Sequence, residues 1–309
     1  MGVSRLGMRG VQGRLFQRIE AVTAEGWQGQ VGMLIPSDQS SEEYKWLGQT
    51  PGVREWIGGR HAKGFTENGL TVYNKTFEGT IEVNVDEIRR DKSAQLQARI
   101  DELGQRVGEH WHKLLSALIE ANPVGYDASA FFADAHSEGD SGTQDNNFSD
   151  ANLGVAAATT PSNPTADEMR TRIQAAIGKI IAFKDNVGEF HNANAKQFMV
   201  MVPPNMLFAA IAATQAGIIL TGGASNDNVL AIQRVFNIGV TANPRLTSTT
   251  VFYVFRTDAM MKPFILQDEL LETGEDDQSF TQNRILVGVK LSRNVAVAFW
   301  QYAGKITIT

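Results

Sequence analysis

The chain has 309 residues and no cysteine, 42% of its residues are hydrophobic and 20% are charged, and its formal net charge is −6. A chain of this length and balance can bury a sizeable core, which argues against extensive disorder, and without cysteine it cannot form disulfides or cysteine-ligated metal sites. The acidic balance, with no obvious basic patch, also argues against site-specific recognition of DNA or RNA.

The N-terminal 19 residues are polar and contain Arg5, Arg9, Arg14 and Arg18. They lack the apolar centre of a signal peptide. The longest apolar run, around residues 209–213, is too short to span a bilayer. We therefore expect a soluble protein that is made in the cytoplasm and has no membrane partner.

Residues 1–57 have the character of an arm more than of a domain. Apolar residues between positions 11 and 19 recur at helical spacing, which predicts a short amphipathic helix. Beyond it, large side chains such as Trp46 and Trp56 stand among glycine, serine and glutamine. Such side chains need a surface to bury against, either in the same chain or on a neighbouring subunit.

Residues 58–90 indicate a β-hairpin. After the turn signal Gly58-Gly59, partial alternation of apolar and polar residues predicts strands at about 70–76 and 79–86. Their apolar side chains include Leu70, Tyr73, Phe77 and Ile81. Because an isolated two-stranded hairpin is only marginally stable, we expect something else to support it.

Residues 91–121 carry the strongest local signal, a continuous apolar stripe that predicts one long helix. Asp91 is a suitable N-cap, and Asn122-Pro123 a suitable stop. Gly104 and Gly108 inside the pattern indicate close packing or a bend. The stripe consists of Leu96, Ile100, Leu103, Val107, Trp111, Leu114 and Leu118.

The middle of the chain alternates helices and strands. A compact apolar piece at 126–132 precedes a polar loop at 137–150 that we expect to be exposed or mobile. Thr165 and Glu168 form a capping-box signature for a helix that continues to about residue 183. A buried strand at 196–202 is followed by Pro203-Pro204, which suits the start of a helix, and this alternation predicts an α+β or α/β lobe.

The C-terminal part is predicted to be rich in strands. A buried strand at 251–255 is followed by the apolar residues 264–266 and by an acidic turn at 272–277. Two further long strands, at 285–291 and 295–302, are predicted with a tight turn at Ser292-Arg293-Asn294 between them.

No residue pattern indicates catalysis, a cofactor or a metal. His110 and His112 are two positions apart on a predicted helix and should point in different directions, so a solvated face is favoured over a metal site. The acidic loop from Asp134 to Asp150 lacks the ligand spacing of an EF-hand. Gly222-Gly223 has no following Gly-Lys-Ser/Thr, and no Gly-x-Ser-x-Gly elbow occurs, so we expect no enzyme.

The predicted pieces follow the order arm, hairpin, long helix, α/β lobe and returning strands. This order resembles the Hong Kong 97-type capsid fold, an α+β fold. The amino-acid sequence is also similar to those of the Mu-like phage major head subunit family. The stretches that carry this resemblance are EYKWLGQTPGVREWIGGR at 43–60, LTVYNKTFEGTIEVNVDEIRRD at 70–91, FFADAH at 131–136, MVPPNM at 201–206 and NRILVGVKLSRNVAVAFWQYA at 283–303.

The resemblance implies a division of the chain. Residues 1–57 would form the N-terminal arm, 58–90 the extended loop, and 91–191 the peripheral domain with the spine helix 91–121. Residues 192–261 would form the axial domain, and 262–309 the strands that return to the peripheral domain and end at the axial domain.

The resemblance also implies a function, that of the major capsid protein of a tailed bacteriophage. Copies would form the hexamers and pentamers of an icosahedral head around double-stranded DNA that is held without sequence specificity. Scaffold and portal proteins, and a decoration protein, would be further partners, and the location would be the virion, with assembly in the host cytoplasm. The candidate inter-subunit contacts are Trp46, Trp56, Leu70, Tyr73, Phe77 and Ile81.

Two other hypotheses remain open. An encapsulin-like shell that stores a cargo enzyme would share the fold, and the neighbouring genes would separate it from a phage capsid. An enzyme on an unrelated α+β fold would instead stay monomeric and bind a small molecule. Some proteins of the capsid fold join a lysine of the extended loop to a neighbour's asparagine, but the surroundings of Lys63 and Lys75 give no sign of an activated lysine.

Overall fold

The computed structural model describes residues 5–45, 69–84, 86, 93–221, 224–228, 230–231 and 235–309. Helices and sheets are mixed along these residues, as in an α+β protein. The helices are α1 (Arg5–Glu25), α2 (Gln28–Val31), α3 (Ser93–Gly108), α4 (His110–Ala121), α5 (Asp150–Leu153), α6 (Ala166–Ile181), α7 (Leu207–Gln215) and α8 (Ser279–Gln282). The strands are β1 (Gly32–Pro36), β2 (Ser41–Tyr44), β3 (Leu70–Tyr73), β4 (Lys75–Asn84), β5 (Asn147–Ser149), β6 (Gln197–Val202), β7 (Ile218–Thr221), β8 (Ala224–Asp227), β9 (Asn237–Ala242), β10 (Val251–Arg256), β11 (Phe264–Gln278), β12 (Arg284–Val297) and β13 (Ala303–Thr307).

The larger hydrophobic core lies around a sheet with the strand order β5-β13-β10-β6-β9. Its central strands β6 and β10 are apolar along almost their whole length because neighbouring elements cover both of their faces. Helix α6 packs against β10 and β13, and α7 packs against β6 and β9. The predicted strands at 196–202 and 251–255 are therefore confirmed.

The second sheet has the order β1-β11-β12-β4 and is dominated by two long antiparallel strands, β11 and β12. Strand β4 pairs with the first ten residues of β12, from Arg284 to Arg293. One face of this sheet, including Phe77 and Val289, packs onto α3 through Leu103. The sheet and the helix thus form a second, smaller core.

The long helix is present but is interrupted at Glu109, which separates α3 from α4. Ile100, Leu103 and Val107 are buried in α3, as the stripe predicted. After Trp111 the buried positions become Leu115 and Ile119, while Leu114 and Leu118 are only partly buried. The interruption rotates the apolar face, which a single continuous stripe could not reveal. The proposed cap Asp91 lies outside the described residues.

The two glycines in α3 mark close packing, as the sequence indicated. A Cβ atom at Gly104 would lie 2.9 Å from Cβ of Arg18, and one at Gly108 would lie 2.7 Å from Cβ of Val22. Helix α1 therefore lies directly on α3, and Leu15 is completely buried between them. Of the two surfaces considered for the arm's apolar side chains, the same chain is the one that buries those of α1, Leu15 and Ile19.

The predicted hairpin of two strands at 70–76 and 79–86 is wrong in its pairing. Strand β3 pairs with β2, and β4 pairs with β12, so the two strands are not partners. Asn74 separates them, with its side chain donating to the carbonyl of Gln39 and accepting from Gln267 Nε2. Partial alternation predicts a half-buried strand but does not identify the strand beside it.

The turns predicted in the C-terminal part are also wrong. Residues 272–277 continue β11, and Ser292-Arg293-Asn294 continue β12 without interruption. These polar residues look like turn residues, but Arg293 lies over the Trp111 ring at 4.4 Å and Asn294 donates to the carbonyl of Tyr73. The chain reverses instead at α8.

The loop at 137–150 is exposed at residues 137, 139–140 and 142–143, as expected, while the residues at its two ends are held inside the fold. His136 and Asn146 are fully buried, and His136 Nδ1 is 2.6 Å from a carboxylate oxygen of Asp127. The His136 ring also stacks on Trp300, with centroids 4.0 Å apart. Polar partners inside the fold therefore anchor a segment that composition alone places in solvent.

Candidate functional site

The predicted contact residues have different environments in the folded subunit. Tyr73 is 67% exposed at the end of β3. Leu70 is partly buried against the larger core, and Phe77 and Ile81 are partly buried against the smaller one. Trp46 and Trp56 lie outside the described residues, as does Lys63. Tyr73 is thus the one predicted contact residue in the described part of the chain with a large free surface.

Phe77 and Ile81 line a groove of about 660 Å³ between β4 and α3, which we call the spine groove. Its floor is apolar and also contains Leu103, Val107, Val289 and Leu291. Glu78 and Glu82 lie along the strand side, whereas the helix side contributes Arg99, Arg106 and Lys113 beside Glu102. An apolar floor between rims of opposite charge suits a segment that carries both apolar and charged side chains.

His110, which lines the spine groove, and His112 face different neighbours, as their spacing predicted, but both are partly buried rather than on the solvated face that the sequence favoured. The His110 ring lies edge-on to Phe77 at 4.4 Å, and burial lowers its pKa to about 4, with Arg293 and Lys113 acting in the same direction. The His112 ring stacks on Trp27 at 4.8 Å, and burial lowers its pKa as well. Both rings therefore serve as neutral packing groups at neutral pH.

Within residues 5–45, 69–84, 86, 93–221, 224–228, 230–231 and 235–309, no three His, Asp or Glu side chains are placed so that they could hold a metal ion. Over the same part of the chain, no helix has both the length and the apolar character that crossing a bilayer requires.

Exposed apolar side chains also occur in the lobe around β6 and β9, and they were not predicted from the sequence. Phe208 is 81% exposed at the start of α7, and Ile218 and Val235 are more than 60% exposed nearby in the chain. Helix α7 is apolar on all sides, so its sequence LFAAIAA has no period that separates outward from inward positions. The only available signal was the large size of Phe208 among alanines.

The same lobe contains an apolar pocket of about 330 Å³, which we call the lobe pocket. Helix α6 forms one wall, and the residues that precede β9 form the other. Gly178 leaves the helix wall open, because a Cβ atom built there would meet no atom within 4 Å. The lining residues are Gln174, Ile177, Gly178, Ile181, Leu230, Val235 and Phe236.

Comparison with known proteins gives a consistent family assignment. The family profile described as Mu-like prophage major head subunit gpT matches residues 9–162, about half of the chain. The Mu-like prophage FluMu major head subunit of Haemophilus influenzae is 30% identical over 136 residues, which cover 42% of this chain and 44% of that protein. The major capsid protein of Escherichia phage Mu is 29% identical over 109 residues, covering 34% and 35%. The chain therefore matches less than half the length of these relatives.

Solved structures agree over a longer part of the chain. The subunit in the procapsid of bacteriophage JBD30 matches with a TM-score of 0.55 and 21% identity, covering 99% of this chain and 76% of that one. The mature capsid of bacteriophage PhiM1 matches with a TM-score of 0.55 and 11% identity, covering 92% and 87%. The virus-like particle of Pyrococcus furiosus matches with a TM-score of 0.54 and 8% identity, covering 96% and 98%. The fold is the Hong Kong 97-type capsid fold.

Proposed function

Because the chain belongs, over residues 9–162, to the Mu-like prophage major head subunit family, we propose that it is the major capsid protein of a tailed bacteriophage. Copies assemble into the hexamers and pentamers of an icosahedral head that encloses double-stranded DNA. The subunit acts through shape and repeated contacts rather than through catalysis. Many contacts of modest strength hold such a shell together, because each subunit is bound by several neighbours at once.

The proposal is supported by the agreement between a sequence match and a structural match. The family match covers residues 9–162, while the capsid fold extends over 99% of the chain when compared with the JBD30 procapsid. The two likenesses rest on different properties, sequence in the N-terminal half and backbone geometry in the whole chain. Both agree with a shell subunit.

We propose the following division of labour between the regions of the subunit. Residues 58–90 form the extended loop, and 91–191 the peripheral domain. Residues 192–261 form the axial domain around which hexamers and pentamers close, and 262–309 return to the peripheral domain before ending at the axial domain. Within the arm, residues 1–57, helix α1 stays on its own spine helix because Leu15 and Ile19 are buried there.

We propose that Trp46, Trp56 and Tyr73 contact neighbouring copies directly. Of these three residues, Tyr73 is the one that the structure describes, and its side chain is 67% exposed. Phe77 and Ile81 act through the spine groove, whose apolar floor they help to form, and Leu70 supports β3 from the core side. A contact segment with both apolar and charged residues would match the groove's oppositely charged rims.

The remaining partners follow from the same proposal. Scaffold and portal proteins take part in assembly in the host cytoplasm, a decoration protein binds the finished shell, and the mature location is the virion. The packaged DNA is held without sequence specificity, and the net charge of −6 supports loose contact rather than neutralisation of many phosphates.

Negative-stain electron microscopy of the purified, concentrated full-length chain tests the proposal. We expect closed shells or rings of five and six subunits, and a sedimentation boundary far above that of a monomer. A chain that remains monomeric at high concentration and binds a small molecule tightly would contradict the proposal and favour an enzyme.

The alternative is an encapsulin-like shell, and the likeness to the virus-like particle of Pyrococcus furiosus keeps it open. At 8% identity that likeness concerns the fold alone, whereas the family match points to a phage head. The two functions differ in the contents of particles purified from the native source. Nuclease-protected double-stranded DNA supports a phage head, and a single protein cargo without DNA supports a storage compartment.

A further inference from the structure

Asn146 is fully buried, and the hydrogen bonds around its side-chain amide fix the orientation of that amide. Its Nδ2 atom donates to the carbonyls of Phe131, at 2.9 Å, and Trp300, at 3.4 Å. Its Oδ1 atom accepts from the backbone N–H of Ala133 at 2.9 Å. Turning the amide over would set an N–H against an N–H and an oxygen against two carbonyls, so Oδ1 is the acceptor.

The fully buried ring of His136 lies between two oxygen acceptors. Its Nδ1 atom is 2.6 Å from Asp127 Oδ2, and its Nε2 atom is 3.1 Å from Asn146 Oδ1. A neutral imidazole has one N–H donor, so it could bond to one of these oxygens while its other nitrogen faced the lone pairs of the second. An imidazolium donates from both nitrogens and satisfies both oxygens.

The surroundings of this ring favour a positive charge. The Trp300 indole stacks on it with centroids 4.0 Å apart and planes 8° apart, so the electron-rich face of the indole covers the cation. Burial raises the pKa of Glu138 and of Asp145, and a positive ring at His136 acts in the opposite direction on both. The titratable side chains around the ring and its carboxylate neighbours are Tyr126, Asp127, Asp134, Glu138, Asp145 and Lys179.

We propose that His136 is an imidazolium that clamps the segment 127–146 to the C-terminal part of the chain, and that removal of one ring proton opens this clamp. The proton passes to solvent base, and the remaining proton stays on Nδ1 beside the Asp127 carboxylate. Nε2 then faces Asn146 Oδ1 without a proton between them, and the two atoms repel each other. The proposal concerns the folded subunit and does not depend on capsid assembly.

Asn146 transmits the change to the C-terminal residues. Its side chain donates to the Trp300 carbonyl, and its backbone carbonyl accepts from the N–H of Lys305, in β13, at 2.8 Å. The Ala133 N–H depends on the same Asn146 Oδ1 atom that the ring holds. Loss of the ring proton should therefore loosen the loop at Ala133 first.

Nitrogen-15 NMR of the full-length chain labelled at histidine tests the charge directly, with subunits in solution or with sedimented shells in the solid state. Through-space contacts to the Trp300 indole identify the signals of His136. At neutral pH we expect a proton on both ring nitrogens. A single protonated ring nitrogen, whether or not the Asp127 carboxyl holds the other proton, would overturn the proposal.

Asp127→Asn separates the charge of the pair from its shape. Oδ1 at position 127 accepts from the backbone N–H of Ser129 at 3.2 Å, which directs the new amide nitrogen toward Nδ1. A neutral ring protonated on Nε2 then satisfies both neighbours, so we expect one protonated ring nitrogen at neutral and at alkaline pH. The matched control, Asp140→Asn, removes an exposed carboxylate from the same loop and should leave both ring protons in place. An imidazolium that persists in Asp127→Asn would contradict the pairing.

Hydrogen exchange of the Ala133 amide measures the clamp itself. When the pH of the natural chain is raised until one ring proton is lost, the protection factor of this amide should fall by about tenfold or more. Over the same pH range, the protection factor in Asp127→Asn should change by less than about threefold. Unchanged protection in the natural chain after the proton is lost would overturn the clamp, and this result stands even if Asp127→Asn does not fold.

Discussion

Arg172 is 1% exposed, and its charge is balanced within the fold. Its Nε and Nη2 atoms donate to the two carboxylate oxygens of Asp150, both at 2.8 Å, and further bonds reach the carbonyls of Glu168 and Ala156. Asp150 also accepts from the backbone N–H of Thr309 at 2.9 Å. This pair therefore connects α5, α6 and the final strand region through charge as well as apolar packing.

We expect Arg172→Met to lower the free energy of unfolding of the unassembled subunit by about 3–5 kcal/mol, because Asp150 is left buried without its cation. Urea unfolding followed by circular dichroism would measure the change. The control is Arg106→Ala, which removes an ion pair whose side chains are 75% and 60% exposed and should cost less than about 1 kcal/mol. Equal effects of the two substitutions would contradict this account.

Glu168 closes the capping box of α6 and should make the subunit sensitive to acid. Its burial raises the pKa, but hydrogen bonds from the backbone and hydroxyl groups of Thr159 and Thr165 outweigh that effect and hold the pKa at about 2. The unfolded chain therefore takes up the proton first as pH falls. The stabilisation is complete above the ordinary carboxyl pKa of 4.5 and is lost as pH falls through about 2.

Glu168→Gln should accordingly flatten the dependence of unfolding free energy on pH between about 4.5 and 2. Thr159→Val, which removes one of the hydroxyl donors, should give an intermediate slope. Denaturant titrations at closely spaced pH values would test both. An unchanged slope in Glu168→Gln would mean that other carboxyl groups control this part of the curve.

At the scale of elements, the contact of α1 with α3 depends on a residue that lacks a side chain. Gly104→Ala would normally favour the helix by about 1 kcal/mol, but its methyl group would collide with Arg18 Cβ at 2.9 Å. We expect a net loss of about 1–3 kcal/mol because α1 must move. Thermal unfolding would measure the loss, and limited proteolysis of α1 would show faster cleavage.

Gly178→Ala is the matched control for that substitution. It is also inside a helix, but its methyl group would meet no atom within 4 Å. The unassembled subunit should therefore become more stable by up to about 1 kcal/mol. If both glycines responded alike, helix propensity rather than the fit between α1 and α3 would explain the result.

Elements with local signals were predictable from the sequence, and their pairings were not. Thr165 and Glu168 identified the start of α6 because a capping box involves residues three positions apart. The partner of β4 lies about 200 residues away in β12, and no local pattern encodes such a distance. Residues 292–294 have turn-like composition, but partners distant in sequence hold them in the strand. Arg293 lies over the Trp111 ring and forms an ion pair with Asp268 at 3.4 Å, and Asn294 donates to the carbonyl of Tyr73.

The candidate contacts were predictable to a similar extent. A hydrophobic residue in an alternating strand can be assigned to one of two faces, and Tyr73 next to buried Val72 follows that rule. Phe208 could not be assigned, since its helix is apolar on every side. Only the packed structure distinguishes the ring that is left outside from those that fill the core.

At the scale of the whole molecule, folding and assembly should respond to different residues. Tyr73→Ser should change the unfolding free energy of the unassembled subunit by less than about 0.5 kcal/mol, because the side chain is 67% exposed. The fraction of protein that sediments as shells should fall. Val72→Ala, at a site 5% exposed, should instead cost about 2 kcal/mol in the subunit itself. Equal destabilisation by both substitutions would remove Tyr73 from the list of contacts.

The uninterrupted course of β12 has a mechanical consequence. Its 14 residues extend for about 45 Å, between β11 on one side and β4 on the other. A pull directed along the strand would load the neighbouring hydrogen bonds in shear, so that many must rupture together. A turn at residues 292–294 would have divided the strand and allowed its bonds to fail in sequence. Tension along this axis is therefore shared by the hydrogen bonds along all of β12 before any of them breaks.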